Sequence, residues 1–531
     1  MALTTNLPSD VATLQTLLQD SEERNGRKDD RIEQLEKLVA DFKRALFGSK
    51  SEKVSTDQYE LALEDIEAAI AAIHAEDEQD VSPLARPKEP RRTNRGSLPQ
   101  HLPRVEEVIA PDNIICDCGC ERHIIGEDVS ERLDIVPSQF RVLVTRRPKY
   151  ACRACENGIT QAPAKPHLIE GGIPTEATLA TIAINKHADH LPLFRQAGIF
   201  ARQGVHLDRS TLAKWLGRVA HELTPVYECL KADLRQSTKL FMDETTAPVL
   251  DPGRGKPKTG YFWALARDDR PWGGSAPPGV VFTYAPSRAG KHAVEILQGF
   301  GGVLQVDGYT GYNRVKDGRD NTPIELAYCW AHARRKLFER TINNVAPIAE
   351  EGLKQIKAFY RIEAQIKGLS ADERRTIRQE KTLPRIEAFK QWLAYSRGQV
   401  SAKSPTGLAL KYIAKYWGGL NLFLTDGRIE IDNNTVERCM RPIALNRKNA
   451  LFAGHDAGAQ NWAMLASIIE TCKLNKVEPH AYLTGVLTAI ARGHKQKDIK
   501  QLLPWTLGSE TPLTINLCIG SGYWHFCVVF R

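Results

Sequence analysis

The sequence has no run of apolar residues long and pure enough to cross a bilayer, which argues against an integral helical membrane protein. Its start, MALTTNLPSDVATLQ, lacks the basic end and apolar stretch of a secretory leader, so no export signal is expected. Without export, 11 Cys in 531 residues do not make a disulfide framework, and most are expected as reduced thiols. What is present is a hydrophobic content of 42%, a charged content of 26% and nine Trp, the composition of a water-soluble globular chain. Single cores stop growing at about 250–300 residues, so several domains are expected.

The net charge of +8 conceals a division, because residues 1–82 hold 19 Asp/Glu and 9 Lys/Arg while the rest holds 45 acidic and 63 basic residues. A polyanionic partner for that remainder is the natural inference. Within 1–82, Ile32, Leu35, Val39, Phe42 and Leu46 recur at three and four residues, as do Tyr59, Leu63, Ile66, Ile70 and Ile73. A helical hairpin, a dimerising zipper and two amphipathic helices packed on their own domain all fit so short a pattern. Residues 83–104 hold five Pro and six Lys/Arg against one Glu, a basic Pro-rich linker.

Residues 105–170 carry the cysteines Cys116, Cys118 and Cys120, then Cys152 and Cys155. Two close thiolate pairs on two turns supply the soft ligands of a tetrahedral structural Zn²⁺ site. The second pair has the usual two-residue gap and the first does not, so one of the first three thiols is a bystander in a four-ligand site. The alternative is a set of reduced, partly buried cysteines. In the region 171–236, Gly204 ends one helical pattern and Asp208 can cap the next, a helix-turn-helix arrangement. It places Arg209, Ser210, Thr211 and Lys214 at the start of the second helix, where side chains reach base edges of DNA.

From residue 237 the rhythm turns to strands. STKLFMDETTAPVL, KTGYFWALARDD and GVVFTYAP are followed by a helix around KHAVEILQGF and by strands at GGVLQVDGYTGY and IELAYCW. That is the element order of an RNase H-like α/β domain, in which the first and fourth strands are neighbours. Asp243 and Asp307, read as the ends of those strands, would then project side by side. Two such carboxylates repel unless a hard cation such as Mg²⁺ lies between them. A third from a helix would let two ions bind about 4 Å apart, and Glu437 is the candidate. Asn434 can cap that helix, and Asn434 to Glu437 is equally the spacing of a capping box with no catalytic duty.

The stretches LFGSKSEK, GEDVSERLDIVP, RRPKYACRACE, DRSTLAKWLGR, MDETTAPVL, LQVDGYTGYN, YCWAHARRKL and IDNNTVERCMRPIALNRKNALFAGHDAGA together resemble insertion-sequence family sixty-six, a group of bacterial Asp/Asp/Glu transposases. The resemblance runs from the N-terminal helices to Trp505. It implies a multidomain α+β protein with a leucine-zipper-like segment at 1–82, a zinc-binding domain and a helix-turn-helix DNA-binding region. It further implies a catalytic domain at 237–470, with a helical insertion at about 338–425, and a C-terminal helical element at 471–505. The implied catalytic trio is Asp243, Asp307 and Glu437, holding two Mg²⁺ with Mn²⁺ as an alternative. His332, in Cys329-Trp-Ala-His332, would approach the trio or serve only in packing, and Arg441, Arg447 and Lys448 would meet phosphates of the element ends. The implied partners are terminal inverted repeats, target DNA, a second copy of the chain and accessory proteins of the same element, with no membrane and a place at the bacterial nucleoid in the cytoplasm. A catalytically silent DNA-binding regulator is the rival reading.

Residues 506–531 depart from the family pattern, with Glu510 and Arg531 the charged groups among apolar residues such as Cys518, Trp524, Phe526, Cys527 and Phe530. A hairpin from Leu513 to Phe530 about Gly520-Ser-Gly is one reading, and an extension never selected for packing is the favoured one. The cysteine spacing predicts about one tightly bound Zn²⁺ per chain. Cys152→Ser and Cys155→Ser should each release it and weaken recognition of element ends, and metal analysis of freshly reduced protein free of zinc would refute the site.

Overall fold

A computed structural model of the chain describes residues 138–151, 159–250, 256–317, 323–341 and 346–507, the backbone of 517–520 and 523–526, and the isolated positions Asp10, Val11, Gln15 and Arg104. The chain divides into two compact units, 1–136 and 137–531, and nearly all described residues belong to the second. The heptad-like stretches, the linker before Arg104, and Cys116, Cys118, Cys120, Cys152 and Cys155 lie outside the described residues. Strands β1 (Lys149–Ala151) and β2 (Ile159–Gln161) on either side of the second cysteine pair are antiparallel, Ala151 opposite Ile159. Arg147 fastens them by donating from Nε to the Ala162 carbonyl at 2.8 Å.

Three helices follow: α1 (Glu176–His187), α2 (Leu193–Ala201) and α3 (Arg209–Arg235). Thr175 caps α1 by accepting from the Thr178 amide. Gly204, at φ 77°, supplies the left-handed residue that turns the chain between α2 and α3. Asp208 occupies the N-cap position of α3 in extended conformation, but its side chain makes no cap bond, so the expected Asp cap is one of position only. Leu212, Leu216, Val219, Leu223, Val226, Leu230 and Leu234 form the buried stripe of α3 at helical spacing.

The next elements are β3 (Lys239–Val249), β4 (Lys258–Arg267), β5 (Gly279–Ala285), α4 (Gly290–Ile296), β6 (Gly302–Val306) and β7 (Ile324–Tyr328). They form one five-stranded sheet in the order β5-β4-β3-β6-β7, with β3, β4 and β5 antiparallel and β6 and β7 parallel to β3. The period of two sends Leu240, Met242, Leu304 and Val306 to one face, where they pack with α3 and α4. Phe241, Phe262, Ala264 and Phe282 go to the other.

After β7 come α5 (Trp330–Thr341), α6 (Pro347–Gln365), α7 (Ala371–Ile377), α8 (Leu383–Gln399) and α9 (Pro405–Lys415). They enclose a second core in which Trp330 meets Phe359 and Phe389 edge-on at 5.3 and 5.6 Å. A π-helical turn, Arg378–Thr382, joins α7 to α8 and aims two consecutive donors inward. Arg378 donates to the carbonyls of Phe423 and Asp426, and Gln379 to that of Leu424. Glu363 neutralises Arg378 at 2.7 Å, and Arg374 bridges Glu363 to Glu430.

The chain then returns to the sheet in α10 (Asn434–Ala450), α11 (Asp456–Leu474) and α12 (Pro479–Ala491). Helices α10 and α11 cover the Phe241 face through Val436, Met440, Ile443, Ala459 and Trp462. Along the outer edge of β5, Ser467 accepts from the Phe282 amide at 2.7 Å and Thr471 from the Val280 amide at 3.1 Å. Those hydroxyls, one helical turn apart, satisfy an edge that would otherwise offer free donors. Among the described residues no helix is long and apolar enough to cross a membrane. In the tail, β8 (Leu517–Gly520) pairs antiparallel with β9 (Tyr523–Phe526), so the hairpin alternative describes its backbone.

Arg378 is wholly buried, and its removal leaves two buried carbonyls without this donor and the Glu363 carboxylate with Arg374 at 3.5 Å. Arg378→Ala is expected to cost ~3–5 kcal/mol of stability, read as a lower midpoint of chemical denaturation. An unchanged midpoint would mean that this charge network contributes nothing to the fold.

Candidate active site

The parallel pairing of β3 with β6 runs from Lys239 opposite Val303 to Phe241 opposite Gln305. Two residues beyond the last pair on each chain stand Asp243 and Asp307. Because two residues is one full pleat, each acid lies on the side of the sheet that α10 covers. The sequence expectation that Asp243 ends its strand needs correction: it is the fifth residue of an 11-residue strand. Strand β3 continues because β4 keeps pairing with it to Val249, long after β6 has stopped. Asp307 does lie just past the end of β6.

Glu437 reaches the same end of the sheet from the first turn of α10, through a set of buried anchors. Gln305 donates from Nε2 to the Glu430 carbonyl and accepts from the Glu430 amide, both at 2.9 Å. The Trp330 amide donates to the Ile431 carbonyl, and Asn433 Nδ2 to the Met242 carbonyl beside Asp243. The helix starts one residue earlier than expected, with Asn433 at the N-cap, while Asn434 instead donates to the Asp432 carboxylate. The third position of the helix is therefore Val436, and Glu437, one residue too far along, makes no capping box.

The Glu437 carboxylate faces His332, with Oε1 3.7 Å from Nδ1, and Arg335, with Oε2 4.0 Å from Nη2. Both Glu437 Oε1 and His332 Nδ1 are buried atoms with no hydrogen-bond partner. Burial pushes the Asp243 carboxyl well above the usual carboxylate range, and Glu244, Asp307 and Glu437 add like-charge repulsion against one backbone bond from the Glu244 amide. Burial also lowers His332, against the pull of Glu437 and Asp307, which leaves a neutral imidazole at pH 7. An orphaned carboxylate oxygen and a carboxyl destabilised by neighbouring acids are what a site for a hard divalent cation presents when the ion's charge is absent.

Donor atoms of Cys329, His332 and Glu437 lie within 4.8 Å of one another, which admits a different ligand set. Burial pushes the Cys329 thiol up to about 12. Its sulfur accepts from the Asn433 amide at 3.2 Å, and its part is to anchor the start of α10.

Four residues beside the acids escaped the sequence reading. Glu244 is almost wholly buried and takes hydrogen bonds from Arg288 Nε at 2.7 Å and the Tyr312 hydroxyl at 2.5 Å. Arg288 lies 3.9 Å from the ring of Tyr309, whose amide donates to Asp307. The signal was the acid next to Asp243 and the two tyrosines of Asp307-Gly-Tyr-Thr-Gly-Tyr.

Elsewhere, Arg209, Ser210 and Lys214 are exposed at the start of α3 and Thr211 is half-buried. On α10, Arg441 and Lys448 are exposed. Arg447 is engaged within the fold, donating from Nη1 to Thr245 Oγ1 and the Thr246 carbonyl, so α10 is tied to β3 there.

Residues 171–461 match the model of the Transposase IS66 family, and residues 467–505 that of the IS66 C-terminal element. Residues 34–106 match a model described as Transposase C of IS166 homeodomain. Residues 114–156 match the zinc-finger binding domain of transposase IS66, which supports a structural zinc in the region of the five cysteines. The chain is 41% identical over 485 residues to the uncharacterized protein y4qI of Sinorhizobium fredii, covering 90% of this chain and 89% of that one. It is 42% identical over 489 residues to y4jD of the same organism, covering 89% and 96%. The match at 171–461 takes in α1 to α3, the whole sheet and all three acids, and on this evidence the chain belongs to the IS66 family of transposases.

Proposed function

We propose that residues 237–470 form an RNase H-like catalytic domain, with the helices between β7 and α10 as an insertion, that cuts the 3′ ends of an insertion sequence and joins them to target DNA. The reading is supported by the carboxylates of Asp307, just past β6, and Glu437, on α10, lying near enough to Asp243 on β3 for their charge to raise its carboxyl. Their donor set, all oxygen and of one charge sign, suits Mg²⁺ or Mn²⁺. Two such ions, when bound, supply an activated attacking oxygen and a stabilised leaving 3′ oxygen for an in-line displacement at phosphorus.

The chain's own residues do the rest. Asp243 and Asp307 fix the site to the rigid sheet, and Glu437 closes it from α10. His332 stands beside Glu437, its Nδ1 3.7 Å from Oε1. Arg209, Ser210, Thr211 and Lys214 read the terminal inverted repeats, while Arg441 and Lys448 meet phosphates and so set register on the duplex. Hydrolysis and strand transfer differ only in the nucleophile, water and then the freed 3′-OH, so one site serves both.

Asp243→Asn, Asp307→Asn and Glu437→Gln are each expected to abolish Mg²⁺-dependent nicking of terminal-repeat DNA while end binding in a mobility-shift assay stays near wild type. The basic surface is untouched by each change. Near-normal nicking by any one variant removes that residue from the trio, and no nicking by the wild type favours the silent regulator.

A further inference from the structure

The loop from Asp307 to Tyr312 is held far more tightly than a surface turn requires. The Tyr309 amide donates to Asp307 Oδ1 at 2.8 Å, and the Tyr309 hydroxyl to the Arg288 carbonyl at 2.6 Å. The Arg288 guanidinium stacks on the Tyr309 ring and binds Glu244, which the Tyr312 hydroxyl also binds. Backbones meet closely enough that a Cβ on Gly290 would strike the Gly311 carbonyl, and one on Gly308 the Tyr412 ring. Tyr416 adds a hydroxyl bond to the Gly308 carbonyl at 2.6 Å. The result is a closed circuit from the residue after Asp243, through Arg288 and two tyrosines, to Asp307.

We propose that Glu244, Arg288 and Tyr312 form a latch that positions Asp307 against Asp243 and thereby sets the affinity of the acidic trio for its divalent cation. The inference rests on the reading of the trio given above. Strand alternation turns Glu244 away from Asp243, so Glu244 is a positioning residue and not a ligand. A buried ion pair adds little net stability over apolar residues of the same volume. What it does fix is direction, since Arg288 is held by a bond on one side and a ring face on the other. Asp243 sits in a regular strand, but Asp307 lies past the end of β6, where no ladder bond fixes it. Without the latch, the distance between two like-charged carboxylates would be set by their repulsion.

Calorimetric titration of Mn²⁺ into the full-length protein tests this, with cleavage of terminal-repeat DNA over a Mg²⁺ series as a second measurement. Tyr312→Phe and Glu244→Gln keep volume and remove one interaction each. Both are expected to weaken Mn²⁺ binding about tenfold, the usual cost of losing support behind a metal ligand. The Mg²⁺ needed for half-maximal cleavage should rise in parallel, and activity should return at saturating metal. Arg288→Gln, at the exposed end of the circuit, should give the same shift with the least risk to folding, checked by the thermal midpoint without metal. Wild-type Mn²⁺ affinity in folded Arg288→Gln and Tyr312→Phe would overturn the latch, as would activity lost equally at every metal concentration with Mn²⁺ binding unchanged. Asp243→Asn separates the levels: it should abolish Mn²⁺ binding, and wild-type binding there would overturn the trio itself and the latch with it.

Discussion

Like charge brought together is the constraint on which the rest of this structure depends. The β3–β6 register sets Asp243 and Asp307 at the same level of adjacent parallel strands, and α10 adds Glu437. Burial first, and then the negative charge of Glu244, Asp307 and Glu437, raise the Asp243 carboxyl. Uncharged donors fix the groups around it: Gln305 donates to the Glu430 carbonyl, Asn433 to the Met242 carbonyl, and the Tyr309 and Glu244 amides to the Asp307 and Asp243 carboxylates. Such groups are strong when fully paired in a low dielectric and add no charge of their own.

That requirement also explains the helices between β7 and α10. Their buried arginines grip carbonyls of Phe423 and Asp426, and Arg374 reaches Glu430, the residue that Gln305 pins to β6. The segment 423–433 thus runs between two fixed walls before α10 begins. The π-helical turn carries two of the donors in succession, with Arg378 buried and Gln379 exposed at its edge. Helices α5 to α9 contribute to the acidic site by placing Glu437 and, through α5, His332 beside it.

Much of this was legible in the sequence where side-chain period alone decides. The strand runs at 237–250, 258–269 and 279–286 follow from alternation, while the neighbouring places of Asp243 and Asp307 follow from the likeness of the element order to an RNase H-like domain. What was not legible depended on partners distant in sequence. That β3 runs past Asp243 depends on β4, the helix start at Asn433 on Met242 and Cys329, and the inward turn of Arg447 on Thr245 and Thr246. Glu244 was passed over because one acid beside another reads as a solvated pair, and only Arg288 and Tyr312, 44 and 68 residues away, make it a buried one.

Helix α3 links the two halves of the proposed activity. Its first two turns carry the exposed Arg209, Ser210 and Lys214, while the buried positions from Leu212 to Leu234 interlock with the sheet core and with α1, α2 and α12. At 27 residues it spans about 40 Å. Close-packed side chains leave little room for the buried part of the helix to slide. Its last turns, Leu230 and Leu234, pack in the same cluster as Leu240 and Met242, the β3 residues just before Asp243. Pro225 lies inside α3 and removes one backbone donor between those last turns and the exposed start, so the helix has one place to bend between the residues proposed to meet DNA and those packed beneath Asp243.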